Sequence, residues 1–455
     1  MELKMITAAN ISRKNSAYIL FSFFLISVSG CGGSSSTPYS QAIDSEQEIS
    51  NGNLAENAFW VNSYVDAVDA NPGDLQCATE QGMCTLRAAI MEANSSVVDA
   101  QNKPHTIFLP SGVYELTLAN PLATGDLGLG DVLARPIIDG PETGSLDIEV
   151  SMNIHGAGAR ETVIDAKQLD RVLEIHPGAD STLSDLTITG GFGNSMGGGI
   201  YSQAHISLSR VWITENWSSG GGGIFVNPLG SLQLNDSTVS HNIAKGQAGG
   251  IRIDTRGTIT NSTISYNEAL GLAEPLPMGT GVPFAFSQGG GIDIRGIGTT
   301  IRNSTIVFNR SALGGAGVHF DTAYVDALPD PITAAIDVPH FDLILENTII
   351  ANNSSDVADG DCLTTVGLSR ILSQGNNIDS DGSCYLDQPG DISGIDPQLA
   401  ELEDNGGATD THALLPTSPA LNAGKMSNCT AVDQRGVVRG DDNACDIGAF
   451  ESGLQ

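Results

Sequence analysis

Positive charge is scarce in this sequence. It has 20 lysine and arginine residues against 53 aspartate and glutamate residues among 455, a formal net charge of −33. A surface this acidic repels the phosphates of nucleic acids and anionic lipid headgroups, so we expect no nucleic-acid partner. Charged residues make up only 16% of the chain, whereas glycine occurs 54 times. That profile favours a repetitive β fold with many turns over a helical enzyme or a disordered chain.

The N-terminus lacks an apolar run of transmembrane length. Its apolar run, Ala17 to Val28, has 12 residues, which is too short to cross a bilayer comfortably but typical of a signal peptide. Basic residues at Lys4, Arg13 and Lys14 precede the run, and the tetrapeptide VSGC, ending at Cys31, closes it. This pattern predicts a targeting segment rather than part of the fold.

The VSGC tetrapeptide resembles the lipobox of bacterial lipoproteins. The resemblance implies cleavage after Gly30, lipidation of the Cys31 thiol and acylation of the new amino terminus. Gly32, with no aspartate at that position, resembles lipoproteins of Gram-negative cells that are sent to the outer membrane. We therefore expect a lipid-anchored outer-membrane protein, facing the periplasm or the cell surface. An ordinary signal peptide with a chance cysteine is the alternative. Residues 1–30 are then the signal peptide, and the small, polar residues 31–57 a flexible tether.

No CxxC pair occurs among the cysteines, and no histidine lies nearby at ligand spacing, so we expect no zinc site. Without Cys31, six of the seven cysteines remain, and they form sequence-local pairs. These pairs are Cys77/Cys84, Cys362/Cys384 and Cys429/Cys445. Six cysteines allow fifteen connectivities, among which local pairing is the simplest expectation. Disulfides would indicate an oxidising compartment.

The middle of the chain contains five repeats. Each begins with a small-residue cluster such as GGGI, at Ile200, Ile224, Ile251, Ile292 and Val318, spaced by 24, 27, 41 and 26 residues. Each then has a second strand ending in asparagine, at Asn216, Asn242, Asn267, Asn309 and Asn352. The leucine-rich-repeat consensus LxxLxLxxN is absent. Parallel strands at this period, with no helices between them, predict a β-solenoid.

Period-two alternation predicts which side chains point inward. In the first strand these are Ile200/Ser202, Ile224/Val226, Ile251/Ile253, Ile292/Ile294 and Val318/Phe320. In the second strand one column contains Leu208, Leu234, Ile259, Ile301 and Ile344, and another contains Ile213, Val239, Ile264, Ile306 and Ile349. Stacking the coils buries these columns as aliphatic ladders. The asparagines would form a structural ladder at one turn, because asparagine tolerates left-handed backbone and its amide can bond to neighbours above and below.

Three segments resemble known bacterial modules. The GGGI and xxxN elements resemble the GGxI and FxxN repeats of polymorphic outer-membrane proteins, whose passengers are β-helices. CTLRAAIMEAN, residues 84–94, resembles the CSLREA motif at the start of many bacterial β-helix proteins, from which it departs at Thr85 and Ala88. Asp396-Pro397 and the stretches 404–424, 433–440 and 445–451 resemble the choice-of-anchor Q domain. Together the resemblances cover about 58–451. They imply pectate-lyase-like architecture and surface display, and they carry no defined activity.

We therefore predict an all-β chain, a right-handed single-stranded parallel β-helix with a short N-terminal capping helix. Leu86, Ala89, Ile90 and Ala93 would be the apolar stripe of that helix, which covers the open first coil. We expect residues 58–104 to form the cap with its disulfide loop, residues 105–390 the coils, and residues 391–455 a closing module. We also expect a monomer.

The outward face of the first strand is the candidate site. One outward column contains Tyr201, Phe225, Arg252, Asp293 and His319. The next contains Gln203, Asn227, Asp254, Arg295 and Asp321. Adjacent coils would set Arg252 beside Asp293 and Asp254 beside Arg295. One interpretation is exposed cross-strand ion pairs that only neutralise the face. The other is a saccharide groove, in which aromatic rings stack on sugars and polar groups hydrogen-bond to them.

Two insertions, Ala269 to Ser287 and Tyr324 to Pro339, would flank this face like walls. They favour a groove that binds a polysaccharide or a surface partner. The alternative is a carbohydrate-active enzyme, either a polysaccharide lyase or a glycoside hydrolase, with carboxylates and His319 as acid and base. Because both arginines are matched by acids and no acidic trio is evident, we favour a non-catalytic role and leave the catalytic residues unassigned.

Four acids near the C-terminus are candidate calcium ligands: Asp433, Asp441, Asp442 and Asp446. Calcium takes several oxygen ligands, but DxDxDG spacing is missing. Surface solvation is the favoured interpretation, so we expect no cofactor and no metal.

Overall fold

The computed structural model describes residues 57–96, 103–119, 140–271, 288–321, 342–357, 360–364, 370–440 and 444–453. These residues belong to one compact unit, Leu54–Gln455. The predicted signal peptide, Cys31 and residues 31–56 of the tether lie outside them. None of the helices in these ranges has the length and apolarity needed to cross a bilayer.

The fold is a right-handed parallel β-helix, as predicted. The stacked coils form three parallel sheets, and equivalent strands of successive coils pair in register. The front sheet contains Leu146–Ile148, Leu173–Ile175, Ile200–Ser202, Ile224–Val226, Ile251–Ile253, Ile292–Ile294, Val318–Phe320 and Cys362–Thr364. The side sheet contains Phe192–Met196, Trp217–Gly220, Ile243–Ala244, Glu268–Ala269, Arg310–Ser311 and Ser354–Ser355.

The broad sheet has 18 strands in two rows that meet at a bend. Its leading row contains Ala58–Trp60, His105–Phe108, Met152–His155, Ser231–Asn235, Gly257–Thr260, Thr299–Arg302, Asp342–Glu346 and Arg370–Ser373. Its trailing row contains Gly112–Glu115, Thr162–Asp165, Thr238–Ser240, Thr263–Ser265, Thr305–Val307, Ile349–Ala351, Ile378–Asp379 and Ile392–Ser393. Two long strands, Ser181–Thr189 and His205–Thr214, run through both rows.

Aliphatic ladders fill the interior of the coils. Ile200, Ile224, Ile251, Ile292 and Val318 are register partners in succession, and all are fully buried. Leu208, Leu234, Ile259 and Ile301 form a second ladder on the leading row. One coil could not bury these side chains alone, so the stacking itself creates the core.

The frame predicted for the last repeat is wrong by one residue. Ile301 pairs with Leu345 rather than Ile344, and Ile306 pairs with Ile350 rather than Ile349. Both Ile349 and Ile350 are buried, because the C-terminal segment covers the outside of the coil at Ile349. With apolar side chains on both faces of the strand, alternation no longer shows which one points inward.

The asparagine ladder runs through Asn216, Asn242, Asn267, Asn309 and, in the corrected frame, Asn353. In each step the Oδ1 atom of one asparagine accepts from the backbone N–H and the Nδ2 of the previous one, at 3.0–3.1 Å. The left-handed backbone belongs to the residue before each asparagine, such as Glu215 and Asn352. The ladder ends on Asp361, whose carboxylate accepts from the backbone N–H and the Nδ2 of Asn353. A carboxylate suits this end because it has no N–H group that would need a further acceptor.

The capping helix spans Leu86–Ser95 and starts at Thr85, whose side chain accepts from the Ala88 N–H. Its predicted apolar stripe is buried, but so is the opposite side. There Arg87 forms a buried ion pair with Asp66, and Glu92 accepts from the backbone N–H groups of Gly73 and Leu75 at 2.7 and 2.6 Å. The preceding loop therefore covers the helix on its outer side.

The C-terminal segment does not simply close the last coil, as a closing module was expected to do. It contains the antiparallel hairpin Leu399–Glu403 and Thr411–Leu414 and the short 3-10 helix Met426–Asn428. From there it lies along the outside of the trailing row and bonds to several coils. Gln434, for example, hydrogen-bonds to Thr238 and Thr263. Polar outward side chains of the coils thus gain partners that a bare solenoid would leave to water.

Three disulfides join the sequence-local cysteines, as expected. They are Cys77–Cys84, Cys362–Cys384 and Cys429–Cys445. The first closes a loop beside the capping helix, the second joins the front-sheet strand Cys362–Thr364 to the turn at Cys384, and the third lies in the C-terminal segment. Such crosslinks stabilise the fold mainly by restricting the unfolded chain.

Candidate functional site

The outward side chains of the front sheet form the surface that we call the paired face. The strand register places Tyr201, Phe225, Arg252, Asp293 and His319 in a single column over five coils. The column is less accessible than a surface strand predicts. Arg252 is 9% exposed, His319 1% and Asp293 0%. The sequence suggested exposed ion pairs at these positions. The prediction of exposure is wrong, because Arg252 and Asp293 are buried.

The aromatic end of the paired face is covered by its own neighbours. The rings of Tyr201 and Phe225 stack with their centroids 5.4 Å apart. The Arg171 guanidinium lies 5.0 Å from the Tyr201 ring centre, and the Arg252 guanidinium lies 5.2 Å from that of Phe225. In the saccharide-groove interpretation, these ring faces would stack on sugars. They are instead occupied by cation–π contacts and by stacking on each other.

The charged end of the paired face is matched within each coil. Arg252 binds both carboxylate oxygens of Asp254, at 2.8 and 3.0 Å, and Arg295 Nε donates to Asp293 at 3.0 Å. The expected pairs linked adjacent coils instead. Although Arg252 and Asp293 are register partners, each arginine reaches the acid two residues along its own strand. In this conformation the Arg252 guanidinium lies over the Phe225 ring.

Asp293 is the most strongly perturbed acid of the paired face. Burial alone would raise its pKa, but the charges of Arg295, His319 and Arg252 and the hydrogen bond from His319 outweigh that effect. The net result is a pKa below the ordinary value, so Asp293 is ionised at neutral pH. His319 Nδ1 lies 2.6 Å from Asp293 Oδ1. An ionised carboxylate held in this way accepts hydrogen bonds and has no proton to donate.

The imidazole of His319 has one nitrogen on Asp293 and one that points elsewhere. Its Nε2 atom is buried and has no hydrogen-bond partner among the described residues. A histidine that a carboxylate orients through Nδ1 can use Nε2 as a base or acid. Of the two predicted walls, residues 272–287 of the first and all of the second lie outside the described residues.

A second column runs beside the first and is more accessible. Backbone N–H groups of its five members each donate to the last strand residue of the preceding coil, which puts them at equivalent positions. Four are half-buried and one, Asn227, is buried. The column contains Gln203, Asn227, Asp254, Arg295 and Asp321. It therefore offers amide, carboxylate and guanidinium groups side by side on consecutive coils.

Sequence reasoning missed three residues of the paired face. Arg171 and Glu174 extend it by one coil and form an ion pair at 2.9 Å. Glu174 is the register partner of Tyr201, and the repeat frame could have found it at the position between the inward Leu173 and Ile175. Gln247 accepts from Arg252 at 3.3 Å. It lies in the turn before the strand, where no periodicity signals a contact.

The two candidate calcium ligands in the described ranges are already hydrogen-bonded. Asp433 accepts from the backbone N–H groups of Arg435, Val437 and Glu451, and from the Arg435 side chain. Asp446 accepts from the backbone N–H groups of Asn422 and Ser452. Asp441 and Asp442 lie outside the described residues. Among those described, no group of three or more His, Cys, Asp or Glu is arranged to hold a metal.

Comparison with known proteins gives two structural likenesses. Pectate lyase Pel9A is 13% identical, with 88% of this chain and 98% of that chain covered and a TM-score of 0.38. The catalytic domain of a GH87 α-1,3-glucanase, solved with tetrasaccharides, is 14% identical, with 76% and 66% covered and a TM-score of 0.21. Neither likeness supports an inference about activity. No family profile matches the sequence, and no curated protein does either.

Proposed function

We propose that this chain is a non-catalytic glycan-binding protein, anchored at the outer membrane through Cys31, that takes its ligand on the second column of the paired face. The supporting observation is the pairing of the acids. Asp254 and Asp293 are both held by arginines two residues away, and Asp293 is fully buried. Hydrolysis of a glycoside requires one carboxylic acid that donates a proton, and the lowered pKa of Asp293 opposes that role.

Binding without catalysis suits the same geometry. Side chains that are fixed by partners lose little rotamer freedom when a ligand arrives, which lowers the cost of binding. Arg252 and Arg295 fix Asp254 and Asp293, while Gln203 and Asp321 remain half-buried at the two ends of the second column. A glycan chain lying across the coils would meet one hydrogen-bonding side chain per coil.

A polysaccharide panel tests this function. The purified chain would be titrated with acidic and neutral polysaccharides, here polygalacturonate, xylan and glucomannan, by affinity electrophoresis. Parallel long incubations would be assayed for unsaturated uronate absorbance and for new reducing ends. We expect binding without products, weakened by the double variant Gln203→Ala/Asp321→Ala. Binding of no polysaccharide, or undiminished binding by the double variant, would contradict the placement of the site.

A second candidate function is supported by His319. Its carboxylate-bound imidazole, with a buried Nε2 that lacks a partner among the described residues, has the arrangement of a general base. The activity would be that of a polysaccharide lyase or a glycoside hydrolase. Product formation that disappears in His319→Ala, with polysaccharide binding retained, would establish this candidate and overturn the non-catalytic one.

The anchor has its own test. In a Gram-negative host, the protein should partition with membranes and into detergent because the Cys31 thiol carries lipid. Cys31→Ser should release it into the soluble periplasmic or medium fraction. Unchanged detergent partitioning of the variant would refute lipidation, and it would leave the glycan site untouched.

A further inference from the structure

The outward face of the leading row has few charged side chains, and the contacts described for the C-terminal segment, such as those of Gln434, are with the trailing row instead. From the first coil to the seventh it presents neutral side chains and two histidines, His155 and His205. The surface consists of the outward side chains of the leading-row strands from Ala58–Trp60 to Gly257–Thr260, among them Trp60, Phe108, Asn153, His155, Ser207 and Gln233. We call this surface the uncharged face.

Charged residues surround the uncharged face. The Asp185–Arg210 ion pair lies at the bend along one long edge. Exposed Asp180 and Arg256 lie along the other, and Arg302 follows Thr260 in the next coil. In a chain with 53 acidic residues, a neutral area this long is unexpected for a surface that only keeps the protein soluble. Beyond the aromatic rings of its first coils, most of its side chains carry hydroxyl or amide groups.

A stack of rings begins the uncharged face. The Trp60 and Phe108 rings stack with centroids 4.2 Å apart, and Phe108 stacks on the His155 ring at 5.7 Å. Trp60 is 59% exposed, and no described strand pairs with Ala58–Trp60 on its other side. One face of an indole is thus available beside a row of hydrogen-bonding groups. A single exposed ring is ordinary, but a stack of rings that continues into hydrogen-bonding side chains provides both the apolar and the polar contacts that a ligand needs.

We propose that the uncharged face binds a neutral polysaccharide, with Trp60 stacking on a sugar ring and the hydroxyl and amide rows bonding to sugar hydroxyls. Neutrality selects this ligand, because an acidic polymer would find no counter-charge here and would be repelled by the net charge of the chain. The polar rows also disfavour a lipid surface, which would need more apolar area than one ring stack. The site is separate from the paired face.

The shape of the face gives the direction of the ligand. Coils are spaced about 4.8 Å apart, so Gln233, five coils after Trp60, lies about 24 Å from it along the helix axis. Along each strand the face is only three to five residues wide. The polysaccharide therefore runs along the axis and contacts Trp60, Asn153 and Gln233 in turn. Longer oligosaccharides should bind more tightly until they span this distance.

The test uses the full chain as five proteins: wild type, Trp60→Ala, Gln233→Ala, Tyr385→Ala and Gln203→Ala/Asp321→Ala. Tyr385 is a matched control, because it is 79% exposed and lies outside both faces. Glucomannan and xylan are the neutral probes, polygalacturonate is the acidic one, and zwitterionic vesicles represent a membrane. We expect Trp60→Ala to lose about tenfold or more in affinity for a neutral probe, since the indole surface buried by the sugar is lost.

Each other outcome decides against the proposal. These outcomes are no binding of a neutral probe, equal affinity of Trp60→Ala and Tyr385→Ala, tighter binding of polygalacturonate, or binding to the vesicles. The double variant separates the two sites. If it alone loses binding, the paired face is the site and this inference fails; if Trp60→Ala alone loses binding, the placement on the paired face fails. Gln233→Ala should weaken only the longer oligosaccharides, and an equal effect on short ones would contradict the axial direction.

Discussion

The paired face and the uncharged face belong to the same β-helix and overlap in its middle coils, yet their side chains have opposite relations to the protein. On the paired face, Arg252, Asp293 and His319 bond to other protein groups and are buried. On the uncharged face, Trp60 is mostly exposed and Gln233 is exposed. The difference shows that charged side chains on a sheet face can be used up in contacts within the protein. Hydroxyl and amide side chains on another face can remain accessible to a ligand.

The largest expected effect concerns Asp293. In Asp293→Ala, Arg295 and His319 keep their positions but lose the carboxylate between them, and removing one partner of a buried ion pair costs about 3–5 kcal/mol. We expect a fall of this size in the free energy of unfolding, measured by chemical denaturation. Asp254→Ala is the matched control, with a smaller loss, because Arg252 retains Gln247 and the Phe225 ring. A loss below about 1 kcal/mol in Asp293→Ala would show that the pairing is not structural.

The pH dependence of stability sharpens the same contrast. The folded pKa of Asp293 lies below its unfolded value of about 3.9, so the folded state binds fewer protons in this range. Its contribution is fully present above pH of about 4 and is lost as pH falls towards the folded pKa. Unfolding free energies of wild type and Asp293→Asn should therefore converge as the pH is lowered below about 4. A difference that stays constant from neutral to acid pH would contradict the lowered pKa.

Two phenylalanines provide a matched pair of smaller changes. Phe225→Leu removes a stacked ring and a cation–π contact with Arg252, whereas Phe108→Leu removes only stacking, with Trp60 and His155. We expect Phe225→Leu to lower the thermal midpoint more, by the equivalent of about 2 kcal/mol, which is the worth of a desolvated cation–π contact. Equal shifts would mean that Arg252 gains nothing from the ring.

The smallest effect is expected on the uncharged face. Ser207 bonds only weakly to its neighbour Gln233, at 3.4 Å. Ser207→Ala should change the free energy of unfolding by less than about 0.5 kcal/mol, as surface substitutions usually do. A loss above about 1 kcal/mol would show that this row is structural, like the paired face.

The repeat frame could be predicted because one physical rule applies to every coil. Alternation identified the inward ladders from Ile200 to Val318, and their spacing indicated parallel stacking. It failed at Ile349 and Ile350, where the C-terminal segment buries the outer side as well, and at Asn352 and Asn353, where two asparagines occupy the left-handed position and the ladder position. Local sequence does not report what a distant segment covers.

The candidate site was less predictable than the fold. The alternation of inward and outward side chains placed Arg252 beside Asp293. It could not show that each arginine bonds to the acid on its own strand. Burial of the face depends on contacts such as that of Gln247, which lies in a turn. Trp60 escaped attention because it precedes the repeats that define the frame. Its importance comes from the register that stacks it on Phe108, 48 residues later in the chain.

A crystal structure with a soaked neutral oligosaccharide tests most directly whether this is a non-catalytic glycan-binding β-helix. The glucomannan-derived oligosaccharide should be intact, with a sugar ring against the Trp60 indole and the chain continuing across the coils towards Gln233. Any additional sugar on the second column of the paired face should also be uncleaved. Density for a cleaved product beside His319 Nε2, or no bound sugar at a concentration that saturates binding in solution, would contradict the account.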